Sequence, residues 1–246
     1  MRTLLLCLVI WFAPSLHAQV QNQPLLIGAE DDWAPFSSAE NGQPTGMAVD
    51  IVRAIFADAN IPIKLVSVPY ARCMRETKSG RLAGCFDTLP DAQMLRDYLF
   101  HAKPLFSDPL LILARADRPV ASVQVRDLED TRVVITHGYS YGDEFESNHK
   151  IQRIEGVADI SNLRMLVAGR ADYAIVYQRI LRHQMRNKGH DLSGQLKTVG
   201  QLSDAKLYLS FSRNWADMPG VIERFNAAHA RLARNGAIAA IQKKWD

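Results

Sequence analysis

The 246-residue chain sets 29 Lys and Arg against 26 Asp and Glu, a formal charge of +3, with 48% hydrophobic and 22% charged residues. This balance excludes a disordered polyelectrolyte, and basic residues spread along the whole chain exclude a nucleic-acid stripe or a polybasic membrane patch. There is ample apolar material for one large domain or two lobes.

The first residues, MRTLLLCLVIWFAPSLHAQ, hold one Arg, an apolar core from Leu4 to Ala13, a Pro, and Ala18 at a site suited to cleavage. They predict a secretory signal over residues 1–18. Its apolar run is too short to span a bilayer and no later stretch is long and apolar enough, so a soluble exported protein is expected. No Cys follows the cleavage point, which argues against a lipid anchor. Cys7 leaves with the signal; Cys73 and Cys85 remain, an even pair in an oxidising compartment, and a disulfide is the favoured reading. Two Cys with no His close in sequence make a poor zinc set, and a Cys nucleophile would need a His base that the sequence does not place.

In chain order, LLIGA (Leu25 to Ala29) reads as a strand, EDDWAPFSSAENGQPTG as a loop, and Met47 to Ala59 as a helix with Met47, Ile51, Ile55 and Phe56 at helical spacing. IKLVSV is a strand, Tyr70 to Ser79 a helix stopped by Gly80, and Cys85 to Thr88 and PLLILARA are strands. A second stretch repeats the order with RVVITHG, a helix from about Gly142, IQRIEG, a helix from Ala158 to Ala168, DYAIVY, and a helix from Gln178 to Asn187. KLYLSFSR returns to strand, and two helices broken at Gly236 close the chain. Strand and helix alternate, so the class is α/β. The terminal segment is expected to pack back on the first unit, with crossings at Ala114 to Pro119 and Ser203 to Lys206. This gives one lobe from residues 19–113 and 206–246, a second from 114–205, and a hinge between them.

Several stretches in this order resemble the periplasmic solute-binding proteins of ABC importers, family 3, the polar-amino-acid class. They are DDWAPFS...NGQPTGMAVDIVRAIF, VPYARCMRETKSGRLAG, YLFHAKPLF, ITHGYSYGDEF, LRMLVAGRADYAIV, LYLSFSR and FNAAHARLARNGAIAAIQKKW. The resemblance covers almost the whole mature chain. It implies a type II-like fold, two α/β lobes joined by a two-crossing hinge and closing over a small solute. It also implies a periplasmic monomer without cofactor or metal, whose partners are a small molecule and an ABC permease or membrane receptor, with no nucleic acid.

The resemblance also nominates residues. In ITHGYSYGDEF, Ser140 matches the hydroxyl that, with the amides of a following helix, holds an anionic ligand group, which agrees with the partial positive field of a helix N-terminus. Its neighbours Tyr139 and Tyr141 either line the cleft or pack, with Ser140 then merely a cap. In the first-lobe loop an acidic residue, Asp32 or its neighbour Asp31, and the aromatics Trp33 and Phe36 are expected at the cleft, the other Asp capping a turn or facing solvent. Tyr70 and Arg72, at a helix start, face either the ligand or the lobe surface. Asp87 and Thr88 fall about where small hydroxyl residues line the first lobe, within a one-residue gap.

Two departures stand against the amino-acid-binding pattern. The Arg that would grip an α-carboxylate is replaced by Met94, with Arg96 two positions off, and the acidic residue that would meet the ammonium is Tyr177. A small polar or cationic metabolite held among Trp33, Phe36, Tyr70 and Tyr177 is therefore expected. An enzyme of the cyclohexadienyl dehydratase type, which resembles the same family, would need an acid among Asp32, Asp87, His101 and His137. A ligand sensor docking on a membrane receptor is a further alternative. No Gly-rich phosphate loop, HExxH or GxSxG is present.

Overall fold

The computed structural model describes residues 23–187 and 190–245, so the expected signal segment lies outside the described residues. The chain begins with β1 (Leu25–Ala29), buried along most of its length. β2 (Asp32–Trp33), β3 (Ser37–Glu40) and β4 (Gln43–Thr45) form a separate 3-stranded sheet. Where the sequence reads as loop, Asn41 and Gly42 take φ of 50° and 73°, the left-handed pair whose twist suits a two-residue hairpin. α1 (Met47–Asp58) then buries Met47, Val49, Ile51, Val52, Ile55 and Phe56.

β5 (Ile63–Ser67), α2 (Tyr70–Lys78) and β6 (Gly84–Thr88) follow as expected, and Gly80 ends α2 with φ 81°. A short α3 (Ala92–Asp97), capped by Asp91 accepting from Met94 N at 2.7 Å, leads into β7 (Tyr98–Phe100). β8 (Phe106–Arg115) is longer than PLLILARA alone. Then come β9 (Arg132–Thr136), α4 (Asp143–Glu146), β10 (Gln152–Gly156), α5 (Asp159–Val167), β11 (Tyr173–Tyr177) and α6 (Gln178–Asn187). The helix expected from about Gly142 is only four residues long. β12 (Leu196–Ser212) precedes α7 (Met218–Arg234) and α8 (Ala237–Lys244).

The large sheet runs β10-β9-β11-β8-β12-β6-β1-β5, with β7 also on β12. Each half has a parallel heart: β1 between β5 and β6 in one, β9 between β10 and β11 in the other. β8 and β12 are antiparallel to each other from Phe106 opposite Leu207 to Arg115 opposite Leu196, and this ladder joins the two lobes. The second expected crossing, 203–206, lies toward one end of this ladder, opposite Leu110 to Ser107. From Leu110 onward β8 also pairs with β11, whereas Ser107 to Pro109 pair with β12 alone; the first expected crossing, 114–119, begins at the far end of the same ladder.

Two features brace this frame. Cys73 and Cys85 form a disulfide that ties α2 to β6. It lies against β1 so closely that a Cβ on Gly28 would come 2.2 Å from Cys73 Sγ. At the crossing, Asp108 is fully buried and accepts from Arg179 N and Arg179 Nη1, each at 3.0 Å, holding the start of α6 on β8.

Candidate ligand-binding cleft

A parallel sheet directs its strand ends, and the loops after them, to one side, and ligands of α/β folds sit at the carboxyl ends of the strands. Here the ends from both lobes meet over a narrow cavity of about 10 Å3. Glu30 follows β1, Tyr70 follows β5, and Asp87 and Leu89 stand at the end of β6; from the second lobe come Tyr139 and Ser140 after β9 and Tyr177 at the end of β11. Trp33, on β2, completes the lining.

The aromatic side chains meet edge to face. Trp33 lies 5.1 Å from Tyr177 at 89° and 5.9 Å from Tyr139 at 81°, and Tyr139 lies 5.4 Å from Tyr70 at 81°. Rings at near right angles act as adjoining walls of a box, an arrangement that ring quadrupoles favour over a face-to-face sandwich. Phe36 stands behind the box, 4.7 Å from Trp33 and stacked at 4.6 Å on Phe106, and it does not line the cavity.

Polar contacts close the cleft. The Tyr139 hydroxyl donates to Glu30, the Ser140 hydroxyl donates to Asp91 Oδ2 at 2.5 Å, and Ala92 N donates to Asp143 Oδ1 at 3.0 Å. Ser140 thus spends its proton on a carboxylate of the other lobe. The helix after it is short and carries Asp143, Glu144 and Glu146 in its first turn, so the expected grip on an anionic ligand group does not fit this geometry.

Asp87 has an unusual backbone. Between the pairs Thr88 with Tyr208 and Cys85 with Ser210, two residues of β6 face one of β12, a β-bulge. Asp87 occupies it with φ 68°, in the left-handed region that Asp tolerates better than most residues. Bulges re-aim side chains, often beside functional sites. This one brings Asp87 to the cavity and leaves Thr88 inside the lobe, where it donates to Ser210 Oγ at 3.2 Å. Both Asp87 oxygens and the Trp33 indole N–H are buried without a hydrogen-bond partner.

Burial dominates the titration of these groups. It pushes the Asp87 carboxyl well above the usual carboxylate range, and does the same to Glu30, with the Tyr139 hydrogen bond opposing in part and the charges of Asp87, Asp159 and Asp31 adding to the rise. Asp159, buried at the start of α5 and accepting from Thr136 Oγ1 at 3.0 Å, is raised to about 6 by the same cause.

Other nominated residues lie elsewhere. Asp32 is exposed and off the cavity. Arg72 points outward and pairs with Glu76 at 2.7 Å; Arg96 is also exposed and bonds Gln93 Oε1 at 2.6 Å. Tyr141 is buried within the second lobe, its hydroxyl accepting from Thr136 N at 2.7 Å. Of the acids a catalytic reading would use, Asp87 alone lines this cavity. His101 is buried beside His229, accepts from Leu209 N and is lowered to about 3 by burial, and His137 is exposed and paired with Glu155. Glu30 and Leu89 were missed from sequence. The usable signal for Glu30 was its place just past a parallel strand.

The family model for bacterial extracellular solute-binding proteins, family 3, matches residues 25–246. The chain belongs to this family. No curated protein matches it in sequence. Among solved structures it is similar to a histidine kinase sensor domain with similarity to periplasmic binding proteins, at 22% identity and TM-score 0.77, covering 91% of this chain and 96% of that one. It is likewise similar to the arginine-, lysine-, histidine-binding protein ArtJ from Geobacillus stearothermophilus, at 17% identity and TM-score 0.74, covering 91% and 95%. The GluR0 ligand-binding core from Nostoc punctiforme, in complex with L-glutamate, gives 21% identity and TM-score 0.72, covering 90% and 99%. These solved neighbours share the two-lobe periplasmic binding protein fold with this family member. Among the described residues no helix is long and apolar enough to cross a membrane, and no group of three His, Cys, Asp or Glu is arranged to hold a metal ion.

Proposed function

We propose that this family member captures a small polar metabolite between its two lobes in the periplasm and presents the closed form to an ABC permease. One observation carries this reading: the strand ends of both lobes converge on a single small cavity that interlobe hydrogen bonds shut. The free energy of binding then drives closure by population shift. In this reading the motion is a bend of the β8–β12 ladder, and the pairing of β8 with β11 from Leu110 onward supports lobes of about residues 23–106 with 207–245 and about 110–202. A receptor-linked sensor role is the second reading, favoured by the similarity to the histidine kinase sensor domain. Acid catalysis on a carboxylated substrate fits less well, because no Lys, Arg or His lines the cavity to hold such a substrate.

The test is thermal unfolding of the mature protein against amino acids, amines, organic acids and sugars. A ligand at a hundred times its dissociation constant adds about 2.7 kcal/mol, a rise of about 2–4 °C per kcal/mol for a chain of this size. No shift from any class would count against solute capture; turnover of a shifting ligand would move the reading to an enzyme.

A further inference from the structure

The cavity has a chemical bias that the family does not dictate. Its charged lining is entirely acidic, Glu30 and Asp87, and Arg72 and Arg96 point away from it. Asp87 is 6% exposed, sits at positive φ in a bulge that brings it to the cavity, and leaves both carboxyl oxygens without a hydrogen-bond partner. A buried carboxylate left so is costly, and a cationic donor is the group that satisfies it. Around it stand Trp33, Tyr70, Tyr139 and Tyr177, set nearly at right angles where they meet. Aromatic walls favour a cation over their faces, and quaternary and other alkylated ammonium groups are the ligands such boxes take. A carboxylate on the same ligand would meet two acids and no compensating cation, which is repulsive at short range.

We propose that the cavity binds a small aliphatic ammonium ion that carries no carboxylate, with Asp87 as its main charge partner and the four rings as its walls. This rests on the reading of the cavity as the solute site. At about 10 Å3 the closed cavity holds little more than one water, so the lobes part to admit the amine and a small one needs the least opening.

The experiment is calorimetric titration of the mature protein with matched pairs that differ in the carboxylate: ethanolamine against serine, choline against betaine, putrescine against ornithine. The expected result is that in at least one pair the amine binds more tightly by about tenfold or more, and that Asp87→Asn, which tolerates the same backbone, weakens that amine by about tenfold or more while the variant keeps a cooperative unfolding transition. If the carboxylated member binds as well as or better than its amine, the ammonium proposal is overturned and solute capture stands. If no member of any pair binds, the proposal is again overturned, and the broad thermal panel decides separately whether any solute is captured.

Discussion

Ser140 Oγ donates to Asp91 Oδ2 at 2.5 Å, and the other oxygen of that carboxylate accepts from Met94 N at 2.7 Å. One aspartate thus caps α3 within its own lobe and receives the hydroxyl of the opposite lobe. The cap lies within one lobe, whereas the second bond spans the cleft.

A hydrogen bond to a charged group is worth about 1.5–3 kcal/mol, so Ser140→Ala shifts the open–closed balance toward open by about tenfold or more. Small-angle scattering of the free protein should give a larger radius of gyration for the variant, and ligand affinity should fall by a similar factor. An unchanged radius together with unchanged affinity would show that the bond does not latch the lobes.

Joining Cys73 to Cys85 closes a short loop, which stabilises a fold by about 2–4 kcal/mol. Replacing both with Ala should lower the denaturation midpoint accordingly. Gly28→Ala puts a methyl group 2.2 Å from Cys73 Sγ and costs about 1–3 kcal/mol through overpacking. In the double-Ala background that sulfur is gone, so the Gly28→Ala cost should shrink; urea unfolding of the four proteins measures the coupling. Equal costs in both backgrounds would refute the steric account.

Asp108 has no solvent exposure, and burial raises its carboxyl against the opposing pull of its bonds to Arg179. Removing one partner of a buried pair costs about 3–5 kcal/mol. Arg179 is partly exposed and recovers some hydration, so Asp108→Ala should sit at the lower end, about 3 kcal/mol. The loss is expected in thermal unfolding with or without ligand.

The pH dependence combines two opposed groups. Asp159 is raised to about 6 by burial, so the folded protein holds this proton longer than the unfolded chain, and its share of stability falls as pH rises from about 4 to about 6. His101 is lowered to about 3 by burial, so the folded protein refuses a proton that the unfolded chain accepts, and its share falls as pH drops below about 6.5. Asp159→Asn removes the first slope and keeps an oxygen for the Thr136 hydroxyl. Its stability relative to the unsubstituted protein should therefore be higher at about pH 6 than at about pH 4, by urea unfolding at each pH. A difference independent of pH would overturn the assignment.

The alternation of strand and helix was legible because most elements carry their own period. α6 occupies Gln178–Asn187 as read, and Gly80 and Gly236 fall at helix boundaries. β12 was read only from KLYLSFSR, since its first half, LKTVGQLSD, has register shifts between Thr198 and Gly200 and between Gln201 and Ser203 that erase the two-residue period. At the cleft, Trp33, Tyr70, Tyr139 and Tyr177, all named from the sequence, line the cavity. Thr88, Arg72 and Arg96 were not separable from Asp87 and Tyr70 by spacing, because a bulge and a helix face, which spacing does not reveal, decide which way each side chain turns.

The path of the chain also orders its folding. β9 to α6 follow one another along the chain, but the sheet around β1 is assembled from both ends: β6 receives β12 from far along the chain. α7 and α8 return to α1 through Arg231 to Asp58 and through Lys244 and Trp245 to Asp50. A chain emerging from its N-terminus therefore carries an unfinished first lobe, with an open strand edge on β6, until its last segment arrives. Non-local pairing of this kind slows folding, and the half-made lobe is the species that a chaperone must shield or that aggregates first.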